Sequence, residues 1–562
     1  MATNVNALFK RKEGPNVFAV MRAGQPKPQI NINSIMDRRS KAKCDLDMWR
    51  GLLETAYSYA VPNYNPWVNL GRGGAVTPGD QLNADIYDLT LPIAHQKLVN
   101  KMLVGMVPQG QQWLKYMPGE AFGDENSSDY MRALGATQKF TDQYFNILDR
   151  SNFYLAVAES MSDTVISTGI LAINEGTYKN PFRFEACPVS QVMLEGNPLG
   201  GIDGVFRDWY DVRVDYIPML WPKAKAPSNK KEDDKINIYE CCYVDHKAPK
   251  NEQYKYAILT DQKEVLFEDA SASWPWVIYR MRKLAGETRG RGPSLDAYPT
   301  AATINEAVGD ELMAAAFTAN PMYMSASDSA FNPDTFKARP GNIIPVQMIM
   351  GQWPIQMFPG GGDINFSALV ITDFRQQINE LLYTAPLGPI NSPDKTATEQ
   401  NIRFMENLES FSAMVPRLQT EFFDPTISRT LYILNRVRPE IFEGMGPDIR
   451  QKIISLDGEI LSLRYETPLM TARGQIKANA LIGYYQALAS MVGPEAATAT
   501  LKPAQLTQAM AQYSGANLDV IRSQEEIEEM EKAAAEAAQQ SMEQGMIPGD
   551  ETTDQTNPGG AL

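Results

Sequence analysis

Histidine, the residue most often used for acid–base catalysis near neutral pH, is scarce in this chain. Only two occur among the 562 residues, His95 in a helix-like stretch and His246 beside a charged loop. Neither belongs to a cluster that has the spacing of metal ligands. A structural role is therefore the better interpretation of both.

Two acid pairs have the composition of nuclease carboxylates, Asp45 with Asp47 and Asp233 with Asp234. Clustered acids at helix starts and on loops are more often solvated or matched to a helix dipole. The run 230–235, which contains the second pair, is most simply a solvated loop. Metal-assisted hydrolysis is therefore not favoured, and a hydrolase with an unfamiliar site stays open only as an alternative.

Phosphate-binding and thiol motifs are also missing. No Gly-x-x-x-x-Gly-Lys-Ser/Thr is present, and the glycines at 71–74 and 360–362 lack the strand before and the helix lysine behind that such a loop needs. Cys241 and Cys242 lie in a β-type run without Cys-x-x-Cys spacing, which predicts a buried pair of small apolar residues. We expect no enzyme activity, no cofactor and no metal.

Composition is that of a folded protein with an acidic surface. Hydrophobic residues make up 44% and charged residues 21%, and the formal net charge is -15. This charge argues against a tight binder of phosphate backbones but not against a surface over which DNA slides. With no signal peptide and no apolar run of about 18 residues, we expect a soluble intracellular product without a membrane anchor.

Helices predominate at the start of the chain. Residues 1–44 mix Gly, Pro, Lys and Arg without periodicity and predict a mobile N-terminal arm. Apolar residues then recur at helix spacing from Trp49 to Ala60, from Leu91 to Met106 and over about 128–168. We expect three helical regions here.

Short β-rich runs follow at 169–212 and 236–282, with turn residues between them. They predict an antiparallel, hairpin-rich sheet inserted among helices. The expected fold class is therefore α+β, mainly helical.

The stretch from Ser294 to Asn320 predicts a helix that carries only negative charge. It contains no Lys or Arg, and its acids are Asp296, Glu306, Asp310 and Glu311. We expect them to form an acidic wall. Prolines break up residues 321–365, and helical spacing resumes at about 366.

Methionines are frequent in and around that irregular insert, at positions 313, 322, 324, 348, 350 and 357. Core filling is one interpretation, and an adaptable contact surface between subunits or partners is the other.

Three prolines stiffen the loop 384–395, because proline fixes φ and restricts the residue before it. Thr396-Ala397-Thr398-Glu399 follows with the spacing of a capping box and predicts a helix to Val437, with kinks at Pro416 and Pro425. A stiff, nearly uncharged loop favours contact with a passing partner. Its contact residues are expected to be Leu387, Gly388, Pro389, Ile390, Asn391, Ser392, Pro393 and Lys395.

Several segments are similar to motifs of one family, and they occur in the same order. They are Tyr57-Ser58-Tyr59-Ala60-Val61-Pro62, Leu98-Val99-Asn100-Lys101-Met102-Leu103, Asn146 to Phe153, and Ile278 to Glu287 followed by Gly290-Arg291-Gly292. From about Trp49 to Met546 the chain resembles the portal, or head-to-tail connector, of short-tailed bacteriophages.

The resemblance implies a portal fold that assembles as a dodecameric ring around an axial channel. Residues 384–395 would be a tunnel loop that faces DNA, and the acids of 294–320 would line the channel. The other regions would be a wing at 45–292, stem helices at 293–320 and 366–383, a clip at 321–365, a long wing helix and following segment at 396–469, a crown at 470–546 and a disordered tail at 547–562.

The resemblance also implies a function and partners. The ring would sit at one capsid vertex, where double-stranded DNA is packaged and ejected, and would be the platform for terminase docking and tail attachment. Its partners would be other copies of itself, double-stranded DNA, terminase, the major capsid protein and a tail or adaptor protein at the clip. It would assemble in the host cytoplasm and reside at the head–tail junction of the virion. Another head–tail adaptor or tail structural protein is the alternative.

Overall fold

The computed structural model describes most of the first 320 residues and shorter stretches beyond. The described residues are 31–67, 84–119, 128–228, 230–319, 323–325, 355–357, 364–384, 414–445, 461–467, 478, 481–491, 493 and 510. The chain divides into two compact units, one of residues 1–111 with 143–455 and one of residues 112–142 with 456–562. None of the helices in these stretches is long and apolar enough to cross a membrane.

The first helix, α1 (Ile32–Ala60), begins well before the expected end of the N-terminal arm at residue 44. The predicted boundary was wrong, because two arginines occupy positions in this helix where apolar residues are usually found. Arg39 is buried against Asp208 of the sheet, and Arg38 contacts Glu195 at 2.7 Å. Arg39 stands between Ile35 and Ala42 on the buried face of α1, so the apolar spacing is interrupted before Leu46.

The remaining helices of the first half match the expected regions. They are α2 (Thr90–Met106), α3 (Ser128–Asp149) and α4 (Phe153–Ile166). The single turn α5 (Ile217–Leu220) was not expected. The region 128–168 is two helices rather than one, because the chain turns at Ser151 and Asn152, whose side chain bonds the backbone of Phe184.

The expected antiparallel sheet is present as two sheets. Their strands are β2 (Thr168–Glu175), β3 (Phe182–Ala186), β4 (Val192–Gly196), β5 (Ile202–Arg213), β6 (Lys235–Val244), β7 (Tyr254–Thr260), β8 (Val265–Ser271) and β9 (Trp276–Arg280). The three-stranded sheet has the order β3-β2-β9 and the five-stranded sheet has the order β4-β5-β6-β7-β8, and every pairing in them is antiparallel. A turn at 260–263 connects β7 to β8, and Lys263 adopts a left-handed φ of 62° there.

Adjacent cysteines on β6 face opposite sides of the sheet, because side chains alternate along a strand. Cys242 packs with Trp276 and Ile170, whereas Cys241 packs with Phe206 and residues of α1. Both thiols are free and fully buried, and burial raises their pKa. The predicted buried pair is confirmed.

The helices expected at 293–320 and 366–383 are observed as α6 (Pro293–Ala319) and α7 (Ile364–Leu381), and the two pack against each other. Between them, β10 (Tyr323–Ser325) and β11 (Ile355–Met357) pair antiparallel at the base of the insert. After α7, the described chain resumes with α8 (Val415–Leu418), a π-helical turn (Gln419–Phe423) and α9 (Asp424–Val437). The π-turn lies between Pro416 and Pro425, where a kink was expected.

The second unit pairs strands that are far apart in the sequence. Strand β1 (Leu114–Pro118) is antiparallel to β12 (Leu461–Tyr465), and Lys115 contacts Glu466 at 2.8 Å. Residues 481–491, within the segment 470–546, are helical. Apart from residues 478, 493 and 510, the rest of 470–546, the expected crown, lies outside the described residues.

Candidate functional site

Helix α6 has one buried face and one exposed face. Its buried face includes Leu295, Ala297, Ala301 and Ile304. The exposed residues, which we call the α6 stripe, recur three or four positions apart and therefore lie on one side of the helix. The stripe consists of Asp296, Pro299, Thr303, Glu306, Asp310 and Met313.

Three of the four acids expected on this helix lie on the α6 stripe. Glu306 and Asp310 are exposed four residues apart, whereas Asp296 is held by Arg282 in an exposed ion pair. Glu311 lies beside the stripe and is only partly exposed. We call the C-terminal part of the stripe, Glu306, Asp310 and Met313, its outer half. Because α6 contains no Lys or Arg, no residue of the helix itself neutralises the two acids there.

Two glycines bring the chain close to the end of α4 just before α6 begins. Gly292 donates its N–H to Ile166 at 2.9 Å, and a Cβ at this position would lie 2.0 Å from the carbonyl oxygen of Val165. A Cβ on Gly290 would lie 2.4 Å from the carbonyl oxygen of Ser167. Close packing against the backbone of 165–167 thus requires both glycines of the Gly-Arg-Gly segment noted in the sequence.

His95 connects three helices at the start of α6. Its Nδ1 lies 2.9 Å from Ser294 Oγ on α6, and its Nε2 lies 2.9 Å from Ser162 Oγ on α4. Burial lowers the pKa of His95 to about 4. The ring is therefore neutral at physiological pH, and its role is structural, as the sequence indicated. Within the described ranges, no group of His, Cys, Asp and Glu side chains could hold a metal ion.

Asn305 fastens α6 to the segment that precedes α2. Its Oδ1 accepts the backbone N–H groups of Tyr87 at 2.6 Å and Asp88 at 3.2 Å. Its Nδ2 donates to the carbonyl oxygen of Asp85 at 2.8 Å. One nearly buried amide thus satisfies three backbone groups of residues 85–88.

The same segment is held to α7 by a charge pair. Arg375 donates to Asp88 Oδ2, with its Nε at 2.9 Å and its Nη2 at 2.7 Å. Burial alone would raise the pKa of Asp88, but hydrogen bonds from Thr90 and the Arg375 guanidinium outweigh it and lower that pKa. Residues 85–88 therefore clamp α6 and α7 together.

Helix α7 ends at a residue in an unusual conformation. Tyr383 has a φ of 55°, and Lys101 of α2 donates from Nζ to its carbonyl oxygen at 3.1 Å. Thr384 is the last described residue before 414. The expected loop contacts, residues 387–393 with Lys395, lie outside the described residues, as does the predicted capping box at 396–399.

Comparison with known families gives one match over most of the chain. The model of the family described as bacteriophage head to tail connecting protein matches residues 33–521. This chain belongs to that family. The connector is therefore a structural component of a phage particle, at the connection between head and tail.

No curated protein matches the connector. Among solved structures, a chain from "Virion of native gene transfer agent (GTA) particle" is similar to it at 12% identity, over 64% of the connector and 90% of the other chain, with a TM-score of 0.29. That TM-score is too low to transfer fold or function from one chain to the other.

Sequence reasoning found the acids of the connector's α6 but not the residues that hold the helix pair. Asn305, Asp88 and Arg375 belong to no motif, and their partners are far away in the sequence. A polar residue next to Ile304, on the mainly apolar buried face of α6, was the available signal for Asn305. No local pattern indicates a left-handed tyrosine at 383.

Proposed function

We propose that the connector is a portal protein, the ring at one capsid vertex through which double-stranded DNA is packaged and ejected. In this proposal α6 and α7 form the stem, 321–365 the clip, 384–395 the tunnel loop and 470–546 the crown. Terminase, the major capsid protein and a tail or adaptor protein are its partners, and assembly takes place in the host cytoplasm. Packaging energy comes from a separate motor.

The observation that carries this proposal is the α6 stripe, which is exposed, acidic and free of basic residues over its outer half. A duplex makes strong contacts wherever Lys or Arg can neutralise its phosphates and release counterions. A wall of Glu306 and Asp310 makes no such contacts. Repeated around a ring, it would surround the duplex with charge of the same sign and let it move.

Met313 extends the same stripe and is 63% exposed, as is Leu312 beside it at 55%. Exposed apolar side chains on a helix that also carries acids favour a surface covered in an assembly. In a ring each subunit has a different flank toward each of its two neighbours, which closes the ring without identical contacts. We assign Leu312, which lies off the stripe, to such a flank, and we assign the acids of the stripe, with Met313 on the same side of the helix, to the bore.

Reversing the stripe charge tests the proposal. In Glu306→Lys/Asp310→Lys, new lysines would bind phosphates, so purified protein should bind DNA with a slope of log affinity against log salt steeper by about 0.9 for each phosphate newly contacted. The fraction of DNA-filled heads should fall. Glu232→Lys/Asp261→Lys, at two exposed positions outside α6, changes the net charge by the same amount and is the matched control, which should fill heads normally. Normal filling and unchanged DNA binding by the double variant would count against a bore lined by this stripe.

A further inference from the structure

The C-terminus of α7 closes with a complete hydrogen-bonded cap. Tyr383 N–H donates to the carbonyl oxygen of Glu380 at 3.0 Å, and Thr384 N–H donates to that of Asn379 at 2.8 Å. This pair of bonds is the Schellman arrangement, in which the residue that donates the first of the two bonds has a left-handed backbone. Glycine usually occupies that position because it has no Cβ to clash with the backbone. Here the residue is tyrosine.

Lys101 lies at this cap. Its Nζ donates to the carbonyl oxygen of Tyr383, the peptide group that precedes Thr384, at 3.1 Å. Lys101 belongs to α2, which packs on both α6 and α7. Burial lowers the pKa of Lys101 to about 8, so bringing this ammonium group to the cap is itself unfavourable.

Two unfavourable features therefore meet at one peptide group. A non-glycine residue is left-handed, and a lysine is partly removed from water to bond its carbonyl. Each would relax in isolation, but a charged donor stabilises a carbonyl more strongly than a neutral one does. Strained backbone that persists is held by its surroundings and often lies next to functional segments.

We propose that Lys101 is a positioning residue for the chain that leaves α7. It holds Tyr383 in the left-handed conformation and so sets the direction in which Thr384 leads into residues 384–395. The importance of that direction rests on the proposed function of those residues as a loop facing DNA. The cap itself does not depend on that function, so the two can be tested separately.

The test compares four variants of the full chain: Lys101→Met, Tyr383→Gly, and Lys101→Met combined with either Tyr383→Gly or Tyr383→Ala. Hydrogen–deuterium exchange by mass spectrometry would follow peptides that cover 374–384. Loss of a charge-assisted hydrogen bond should speed exchange at 382–384 by about tenfold in Lys101→Met. Peptides from β6 (Lys235–Val244) report whether each variant is folded and should exchange as in the wild type.

The combined variants separate positioning from packing. If Lys101 holds a strained backbone, Tyr383→Gly removes the strain, and the lysine loses its importance. Lys101→Met/Tyr383→Gly should then exchange at nearly the wild-type rate. Lys101→Met/Tyr383→Ala differs from that variant by one methyl group, and its hydrogen exchange should stay fast. Unchanged exchange in Lys101→Met, or equal exchange in the Gly and Ala combinations, would overturn the proposal.

Head filling gives a second readout. Fast exchange together with fewer filled heads in Lys101→Met, both restored by Tyr383→Gly, supports the cap and the loop function together. Fast exchange with normal filling leaves the cap in place and contradicts the function proposed for the loop.

Discussion

Single buried residues set the charge balance of the connector's helical core. His95 is kept neutral, with a pKa lowered to about 4 by burial. Asp163 on α4 is the opposite case, because burial raises the pKa of its carboxyl to about 7 although the Tyr57 hydroxyl donates to it at 2.6 Å. Glu159 raises it further. As the pH rises through the acidic range, the contribution of His95 to the free energy of unfolding therefore increases and that of Asp163 decreases.

The folded protein binds the Asp163 proton more tightly than the unfolded chain does. Its contribution to the free energy of unfolding is therefore fully present below a pH of about 4, is lost as the pH rises to about 7, and is constant above that. Asp163→Asn removes this loss. Relative to the wild type, the variant should gain up to about 4 kcal/mol in free energy of unfolding between pH 4 and pH 8.

Chemical denaturation of both proteins across this pH range measures that difference. Because both proteins contain His95, its opposing contribution cancels in the comparison. Asp261→Asn, at an exposed turn, controls for loss of a negative charge. A difference between Asp163→Asn and wild type that does not change with pH would show that the carboxyl is not buried as described.

At the scale of elements, α6 and α7 depend on a segment outside both of them. Residues 85–88 receive Asn305 from α6 and Arg375 from α7, so the spacing of the pair is fixed at that level. Gly309 allows the Tyr87 ring to approach, since a Cβ there would lie 3.2 Å from it. The acids of the α6 stripe are thus displayed on a helix that this segment holds against α7.

Removing the Asn305 amide should destabilise this support. Asn305→Ala leaves two backbone N–H groups and one carbonyl of 85–88 without their partner, which should cost about 2 kcal/mol in free energy of unfolding. Thr303→Ala, two residues away on the exposed stripe, should change it by less than about 0.5 kcal/mol. Thermal unfolding of the three proteins measures this. Equal midpoints for both variants would contradict the role of the clamp.

The loop after α7 carries a separate prediction. Deleting Leu387 to Pro393 should leave assembly intact, because the segment contributes no charged residue and lies beyond the cap of α7. Head filling or retention of DNA should decrease. Particle counts and DNA content of purified heads measure both. Full, stable heads from the deletion would remove the role assigned to this loop.

Over the whole molecule, local patterns were enough for most of the described helices and for the hairpins. The helix expected from 294 is observed from Pro293 to Ala319, because its apolar spacing and the flanking Gly292 are local signals. Arg39 was missed because its partner, Asp208, is distant in the sequence. The β1–β12 pairing was missed for the same reason, since nothing near Leu114 indicates a strand partner at Tyr465.

For the candidate site, the sequence supplied the acids of α6 and not their support. Helix spacing alone places Glu306 and Asp310 on one face. The clamp at 85–88 and the cap at Tyr383 arise from contacts between separate elements, which periodicity does not encode.

In the proposed function the connector forms a closed ring with a bore for DNA. The most direct measurement is the mass of the purified protein in solution, by native mass spectrometry or mass photometry, with imaging of the same sample. We predict closed rings of about 750 kDa, which corresponds to twelve copies of the 62.6 kDa chain. Monomers alone at high concentration, or open filaments without a central channel, would contradict it.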